Sequence, residues 1–262
     1  MEHTKAEKME AFGRFLDILD ELRVKCPWDR KQTFESLRPN TIEETYELCD
    51  ALVRQDKKDI CKELGDVLLH VAFYAKIASE TGDFDIKDVC DCLCEKLIFR
   101  HPHVFGEVNV KTAEQVTENW EQLKMKEKDG NKTVLSGVPA SLPSLIKAYR
   151  IQDKARNVGF DWEQREQVWN KVKEEIGEFQ DEVARMDVVK AEQEFGDVLF
   201  SLVNAARLYG INPDNALEHT NQKFIRRFNY LEEHTLKQGK SLKEMSLEEM
   251  DSYWNEAKQN GL

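Results

Sequence analysis

Two acidic motifs occur twice in this chain. EETYE at 43–47 is followed by ELGD at 63–66, and EEIGE at 174–178 by EFGD at 194–197. On a helix, residues three and four apart are surface neighbours, so Glu175 and Glu178 share a face, as do Glu194 and Asp197. The first copy puts Glu44, Glu47, Glu63 and Asp66 in the same register. Antiparallel pairing of two such helices brings four carboxylates together. Carboxylates so close raise one another's pKa unless a cation stands among them. Oxygen donors with no His or Cys suit a hard divalent ion, Mg²⁺ or Mn²⁺, and Mg²⁺ commonly takes further ligands from substrate phosphates. Asp197 leads into VLFSLVNAA and Asp66 into VLLHVAFYA, so both are expected to be partly buried and in need of partners. Taken singly, each acid fits a solvated face or a cap, and Thr41-x-x-Glu44 has the form of a capping box. The doubled set is what points to metal.

A cationic group accompanies the acids. Lys223, Arg226 and Arg227 lie in NQKFIRRFNYLE, with Lys223 and Arg227 on one face, and Lys96 and Arg100 repeat that spacing. Carboxylates for the ion plus Lys or Arg for phosphate oxygens suit a metal-bound polyphosphate. Trp120 and Trp254 either stack on a base or pack in a core. Other chemistries lack their motifs: the sequence has no G-x-x-x-x-G-K-[ST] loop and no G-x-S-x-G elbow. A di-iron bundle needs Glu-x-x-His, whereas His70 follows Asp66 by four and Ser201 takes its place in the other half. His101 and His103, split by Pro102, read as local structure.

The elements that must position these groups are helical. MEAFGRFLDILDELR has apolar residues at 12, 15, 16, 19 and 22, a helical spacing. TIEETYELCDALVRQ is expected to start a helix after Pro39-Asn40, and KDICKELGDVLLHVAFYAKIASETG to stop near Gly82. DIKDVCDCLCEKLIFR and TAEQVTENWEQLKMKEK add two more. Gly130, Gly137, Pro139 and Pro143 mark a connector, after which five helical segments follow. The halves repeat with one offset: 174 − 43 = 131 and 194 − 63 = 131. Lys96 and Arg100 pair with Lys223 and Arg227, and Trp120-x-x-x-Lys124 with Trp254-x-x-x-Lys258. Duplication of one helical unit explains this. The expected architecture is all-α, with tandem helical-bundle domains at 1–128 and 146–262 joined by a linker at 129–145.

With 262 residues the chain has room for two domains, and at 40% hydrophobic it can build cores. No run of about 18 apolar residues suggests a membrane span. MEHTKAEKMEAFGRF lacks the apolar stretch of a secretory signal. A net charge of −12 argues against stable nucleic-acid binding. Cys90, Cys92 and Cys94 alternate in a helical segment without zinc spacing, so reduced thiols in a cytoplasmic protein are expected.

With these motifs in hand, the sequence resembles the MazG family of nucleoside triphosphate pyrophosphohydrolases, whose signature is EExxE followed by ExxD. Here 15 residues separate the two parts in each half (48–62 and 179–193). CPWDRKQTFESLRPNTIEETYE, FRHPHVFGEV, WEQLKMKEK, LPSLIKAYRIQDKARNVGFDW and RRFNYLEE extend the resemblance over essentially the whole chain. It implies an all-α pyrophosphatase fold, a Mg²⁺-dependent homodimer and the reaction NTP + H₂O → NMP + pyrophosphate. It further implies metal ligands at Glu175, Glu178, Glu194 and Asp197, with counterparts Glu44, Glu47, Glu63 and Asp66. Nucleotide contacts would come from Lys171, Glu174, Lys223, Arg227 and Trp254, with Lys124 reaching the site in the dimer. Glu174 or Glu175 would take a proton, while Lys223 and Arg227 stabilise transition-state charge. Both acidic sets are intact; the richer cationic helix favours the second half. Gly177 inside EEIGE weakens its helix by about 1 kcal/mol relative to Ala, in exchange for close helix packing.

Overall fold

The computed structural model describes residues 2–108, 112, 115–116, 123, 133–237, 239 and 241–262. Among them there is no strand. The chain divides into two compact units, Met1–Val110 and Lys111–Leu262. Most of 111–128, which the sequence pattern attaches to the first domain as a helix, lies outside the described residues.

In the first unit α1 spans Lys5–Lys25, α2 Phe34–Arg54, α3 Lys57–Ser79 and α4 Ile86–Arg100, followed by the short α5, Pro102–Phe105. In the second, α6 spans Ser144–Arg156, α7 Val168–Ala184, α8 Val188–Leu208, α9 Pro213–Lys237 and α10 Leu247–Gln259. Caps set many of the starts. Thr4 and Glu7 form a reciprocal box on α1, as Ser246 and Glu249 do on α10.

One expected start is wrong. α2 begins at Phe34, seven residues before Thr41, because Thr33 and Ser36 cap each other's backbone there. Pro39 sits inside the helix in its second turn, where it lacks the N–H that would donate to the Glu35 carbonyl, so the ladder loses that bond. Thr41 is therefore no cap. Its hydroxyl donates to the Leu37 carbonyl at 3.0 Å, and Glu44 is left for the acidic group.

The duplication extends to the backbone. The α2–α3 and α7–α8 hairpins turn through Gln55 (φ 57°) and Met186 (φ 58°), non-glycine residues in the left-handed region and 131 apart. The next residues, Asp56 and Asp187, cap α3 and α8 with their carboxylates. These tight turns make the helices of each hairpin antiparallel neighbours. Thus the EExxE helix lies against the ExxD helix in both units.

The cores differ. The first unit buries Leu19, Leu37, Ala72, Phe73 and Ile77 as one cluster, with Phe15, Leu16, Leu69 and Tyr74 against it. The second buries Val168, Val172 and Ala205, backed by Leu208. All six cysteines are free; Cys90, Cys92 and Cys94 are exposed on α4. No described helix is long and apolar enough to cross a membrane.

Candidate metal centre

Each hairpin gathers three carboxylates. Oxygens of Glu175 on α7 and of Glu194 and Asp197 on α8 lie within 4.8 Å of one another. Glu44, Glu63 and Asp66 do the same in the first unit. The fourth acids of the sequence pattern stand at the edge. Glu178 is one turn beyond Glu175, and a hydrogen bond with Glu175, then burial and the charges of Glu175 and Glu194, push its carboxyl above the usual range. Glu47 adds its charge to those of Asp66 and Glu63 around Glu44, whose carboxyl is raised by burial first and by these neighbours second.

Lysines partly neutralise both groups. Lys171 Nζ reaches Glu174 and Glu175, each at 2.7 Å, and these bonds hold its ammonium well above its usual pKa. Glu174 is thereby an exposed ion-pair partner beside the triad. In the first unit Lys62 donates to one oxygen of Glu63 at 2.8 Å. The other, Oε2, is buried with no hydrogen-bond partner. A buried, unpartnered carboxylate oxygen costs free energy that a cation would offset. The oxygen-only donor set and this orphaned atom fit a hard divalent ion.

A cavity of about 630 Å³ opens beside the second triad, with Lys171, Glu175 and Asp197 on one wall. Phe160, Trp162 and Phe200 give it an apolar character. The loop carrying Phe160 and Trp162 follows α6 through Gly159, whose φ of +86° suits glycine. An ion pair ties this loop to α8. The Arg207 guanidinium donates to both oxygens of Asp161, through Nη1 at 3.0 Å and through Nη2, and also to Asn204 Oδ1 at 2.8 and 3.1 Å. Burial pushes the Asp161 carboxyl up, but the hydrogen bonds from Arg207 and the Trp162 backbone outweigh it and hold the pKa below the ordinary value.

In the first unit larger side chains stand at the matching positions. At the offset of 131, Ser201, Asn204 and Ala205 correspond to His70, Phe73 and Tyr74. Thr41 Oγ1 joins His70 Nδ1 at 2.9 Å and the Tyr74 hydroxyl at 2.5 Å, and Phe34 stacks on Tyr74 with centroids 5.8 Å apart. Burial lowers the His70 pKa against the pull of Asp66. Ser201 and Asn204 line the cavity of the second unit, whereas Phe73 at the Asn204 position belongs to the first unit's core cluster.

Arg227 and Trp254 meet each other: the guanidinium lies 5.7 Å from the ring centroid, and Nε donates to the Leu262 carbonyl at 2.7 Å. Neither forms a hydrogen bond or ion pair with the triad among the described residues. Lys223 is exposed on the same helix as Arg227. Lys124 and Trp120 lie outside the described residues. Gly177 does not serve close packing, since a Cβ there meets nothing within 4 Å. Sequence reasoning passed over Gln152, Asp161, Asn204 and Arg207. The available signal was a buried-type arginine in the apolar run VLFSLVNAARLYG.

The MazG nucleotide pyrophosphohydrolase domain model matches this chain twice, over residues 32–105 and 163–231. The chain belongs to the MazG family. Its relatives include the nucleoside triphosphate pyrophosphohydrolase of Escherichia coli strain K12, 42% identical over 95% of this chain and 98% of that protein. The nucleoside triphosphate pyrophosphohydrolase/pyrophosphatase MazG of Thermotoga maritima is 44% identical over 94% of this chain and 95% of its own length. YabN of Bacillus subtilis is 47% identical over 97% of this chain, which spans 53% of that longer protein. Each matched region holds one complete EExxE–ExxD hairpin.

Proposed function

We propose that this protein hydrolyses nucleoside triphosphates to monophosphate and pyrophosphate with Mg²⁺, or Mn²⁺ in its place, and that the second unit does the chemistry. One observation supports the assignment: Glu175 and Asp197 of the Glu175–Glu194–Asp197 triad line a cavity of about 630 Å³ with Phe160, Trp162 and Phe200 on its surface, a size that accommodates a base. Glu175, Glu194 and Asp197 would hold the metal, with Glu178 at their edge. When bound, the metal supplies an acidified water and neutralises phosphate charge. Glu174 or Glu175 accepts the proton of the attacking water. Lys171, already beside both, turns from them to phosphate oxygens. Lys223, Arg227, Trp254 and Lys124 are proposed nucleotide contacts on the strength of the family pattern, with Lys223 and Arg227 stabilising charge in the transition state. In the first unit Glu44, Glu63 and Asp66, with Glu47 beside them, are proposed to hold a cation without a nucleotide.

The proposal extends to a cytoplasmic homodimer with domain limits of 1–128 and 146–262. An apolar stripe supports the dimer: Phe195, Leu199 and Leu202 are 47%, 47% and 41% exposed at i, i+4 and i+7, and Leu64, Leu68 and Val71 repeat it. The deciding assay is pyrophosphate release from a panel of nucleoside triphosphates with and without Mg²⁺. Monophosphate plus pyrophosphate as products supports the enzyme. Nucleotide binding without turnover points instead to a regulatory module and overturns the reading.

A further inference from the structure

The turn that ends α10 folds back onto α9 and meets it at Arg227. α10 closes with a Schellman turn. Gly261 stands at φ +81°, its N–H donates to the Lys258 carbonyl at 3.3 Å, and the Leu262 N–H donates to the Ala257 carbonyl at 3.1 Å. Those bonds complete the cap. The Leu262 carbonyl has no part in it and instead accepts from Arg227 Nε at 2.7 Å. Asn260, beside the turn, donates through Nδ2 to the hydroxyl of Tyr230 at 3.2 Å, one turn along α9 from Arg227. Trp254 of α10 supplies a second side. Its ring centroid is 5.7 Å from the guanidinium and 5.0 Å from the ring centroid of Phe224. Arg227 is therefore held at one edge by the turn and over a ring by α10.

What the hold leaves open is the end of the fork. A guanidinium carries five N–H donors in one rigid plane. Leu262 takes Nε, and among the described residues Nη1 and Nη2 form no hydrogen bond or ion pair. Those two groups can grip two oxygens of one phosphate. A long side chain ordered before its ligand arrives loses less freedom on binding than one left loose. Lys223, exposed one turn earlier on the same face, stands as the neighbouring cation. Resting on the reading that Arg227 contacts the polyphosphate, we propose that the Gly261–Leu262 turn is a positioning element, its carbonyl fixing Arg227 so that the Nη pair is presented to phosphate oxygens.

Gly261 gives the test its handle. A Cβ there meets nothing within 4 Å, so a substitution acts through backbone conformation alone. Valine is strongly disfavoured at positive φ, and asparagine tolerates it. Gly261→Val is expected to lower kcat for ATP about tenfold with KM within about twofold, since Arg227 acts on transition-state charge. Gly261→Asn, the conservative variant, is expected to keep kcat within about threefold of wild type. Placed on Arg227→Gln, Gly261→Val should cause no further loss, because the turn acts through that side chain. A readout independent of turnover is the Arg227 Nε–H resonance in ¹H–¹⁵N spectra. It should exchange slowly in wild type and Gly261→Asn and be lost in Gly261→Val. Unchanged kcat in Gly261→Val, a tenfold loss repeated on Arg227→Gln, or an Nε–H signal untouched by valine would overturn the inference while leaving the hydrolase reading intact. Arg227→Gln with wild-type kcat would overturn the role of Arg227 and the inference with it. Absence of pyrophosphate release from every triphosphate would instead remove the hydrolase reading, and the Nε–H signal would still decide whether the turn holds Arg227.

Discussion

Cutting the tie between Asp161 and Arg207 tests how the cavity wall is held. In Asp161→Ala the Arg207 guanidinium, whose side chain is 4% exposed, loses its carboxylate and keeps only Asn204 as a partner among its described contacts. Removing one member of a buried pair costs about 3–5 kcal/mol because the other charge stays desolvated. The Asp161 side chain is 18% exposed, so the lower end, about 3 kcal/mol, is expected. For a domain of roughly 150 residues that corresponds to a fall in Tm of about 6–12 °C. Tryptophan fluorescence reads it directly, since Trp162 is in the tied loop and Trp169 on α7. The pH dependence follows from the lowered Asp161 pKa. A carboxylate whose folded pKa lies below its unfolded value, about 3.9, stabilises fully above that value and loses its contribution as pH falls through the folded one. The gap between wild type and variant should be constant from pH 8 to pH 5, as rough limits, and close in stronger acid. Pairing Asp161→Leu with Arg207→Met should cost less than the two single changes summed. A drop below about 2 °C, or a gap that widens on acidification, would refute the reasoning.

Three other outcomes are expected. Glu175→Gln and Asp197→Asn should each cut Mg²⁺-dependent pyrophosphate release by about 100-fold or more, and Glu44→Gln and Asp66→Asn by far less; equal losses from both sets would overturn the assignment to the second unit. Gly177→Ala places a methyl group in open space on a helix, so it should raise thermal stability by about 0.5–1 kcal/mol, read as a higher midpoint in a melt. Leu37→Ala removes a side chain that is 1% exposed in the first core cluster, so denaturant unfolding should show a loss of about 2–5 kcal/mol.

The sequence by itself determined the helical class, the duplication and the acids that matter. These are properties of local spacing. A helix period shows in the apolar pattern, and an offset shared by two motif pairs needs no coordinates. Where two local signals competed, one was misread: Pro39-Asn40 looked like a helix start, but the Thr33–Ser36 cap lies earlier and the helix runs through the proline. Only the tertiary structure decided how the two units differ. Ser201 and Asn204, which line the cavity, stand where His70 and Phe73 stand in the other copy, and what each such side chain meets depends on neighbours far away in the chain. The Arg207–Asp161 pair, 46 residues apart, and the Gln152–Phe200 bond, 48 apart, are contacts of the same kind. Spacing along a helix determines which side chains share a face, but packing determines what that face meets, and the base-sized cavity beside the triad is a product of packing.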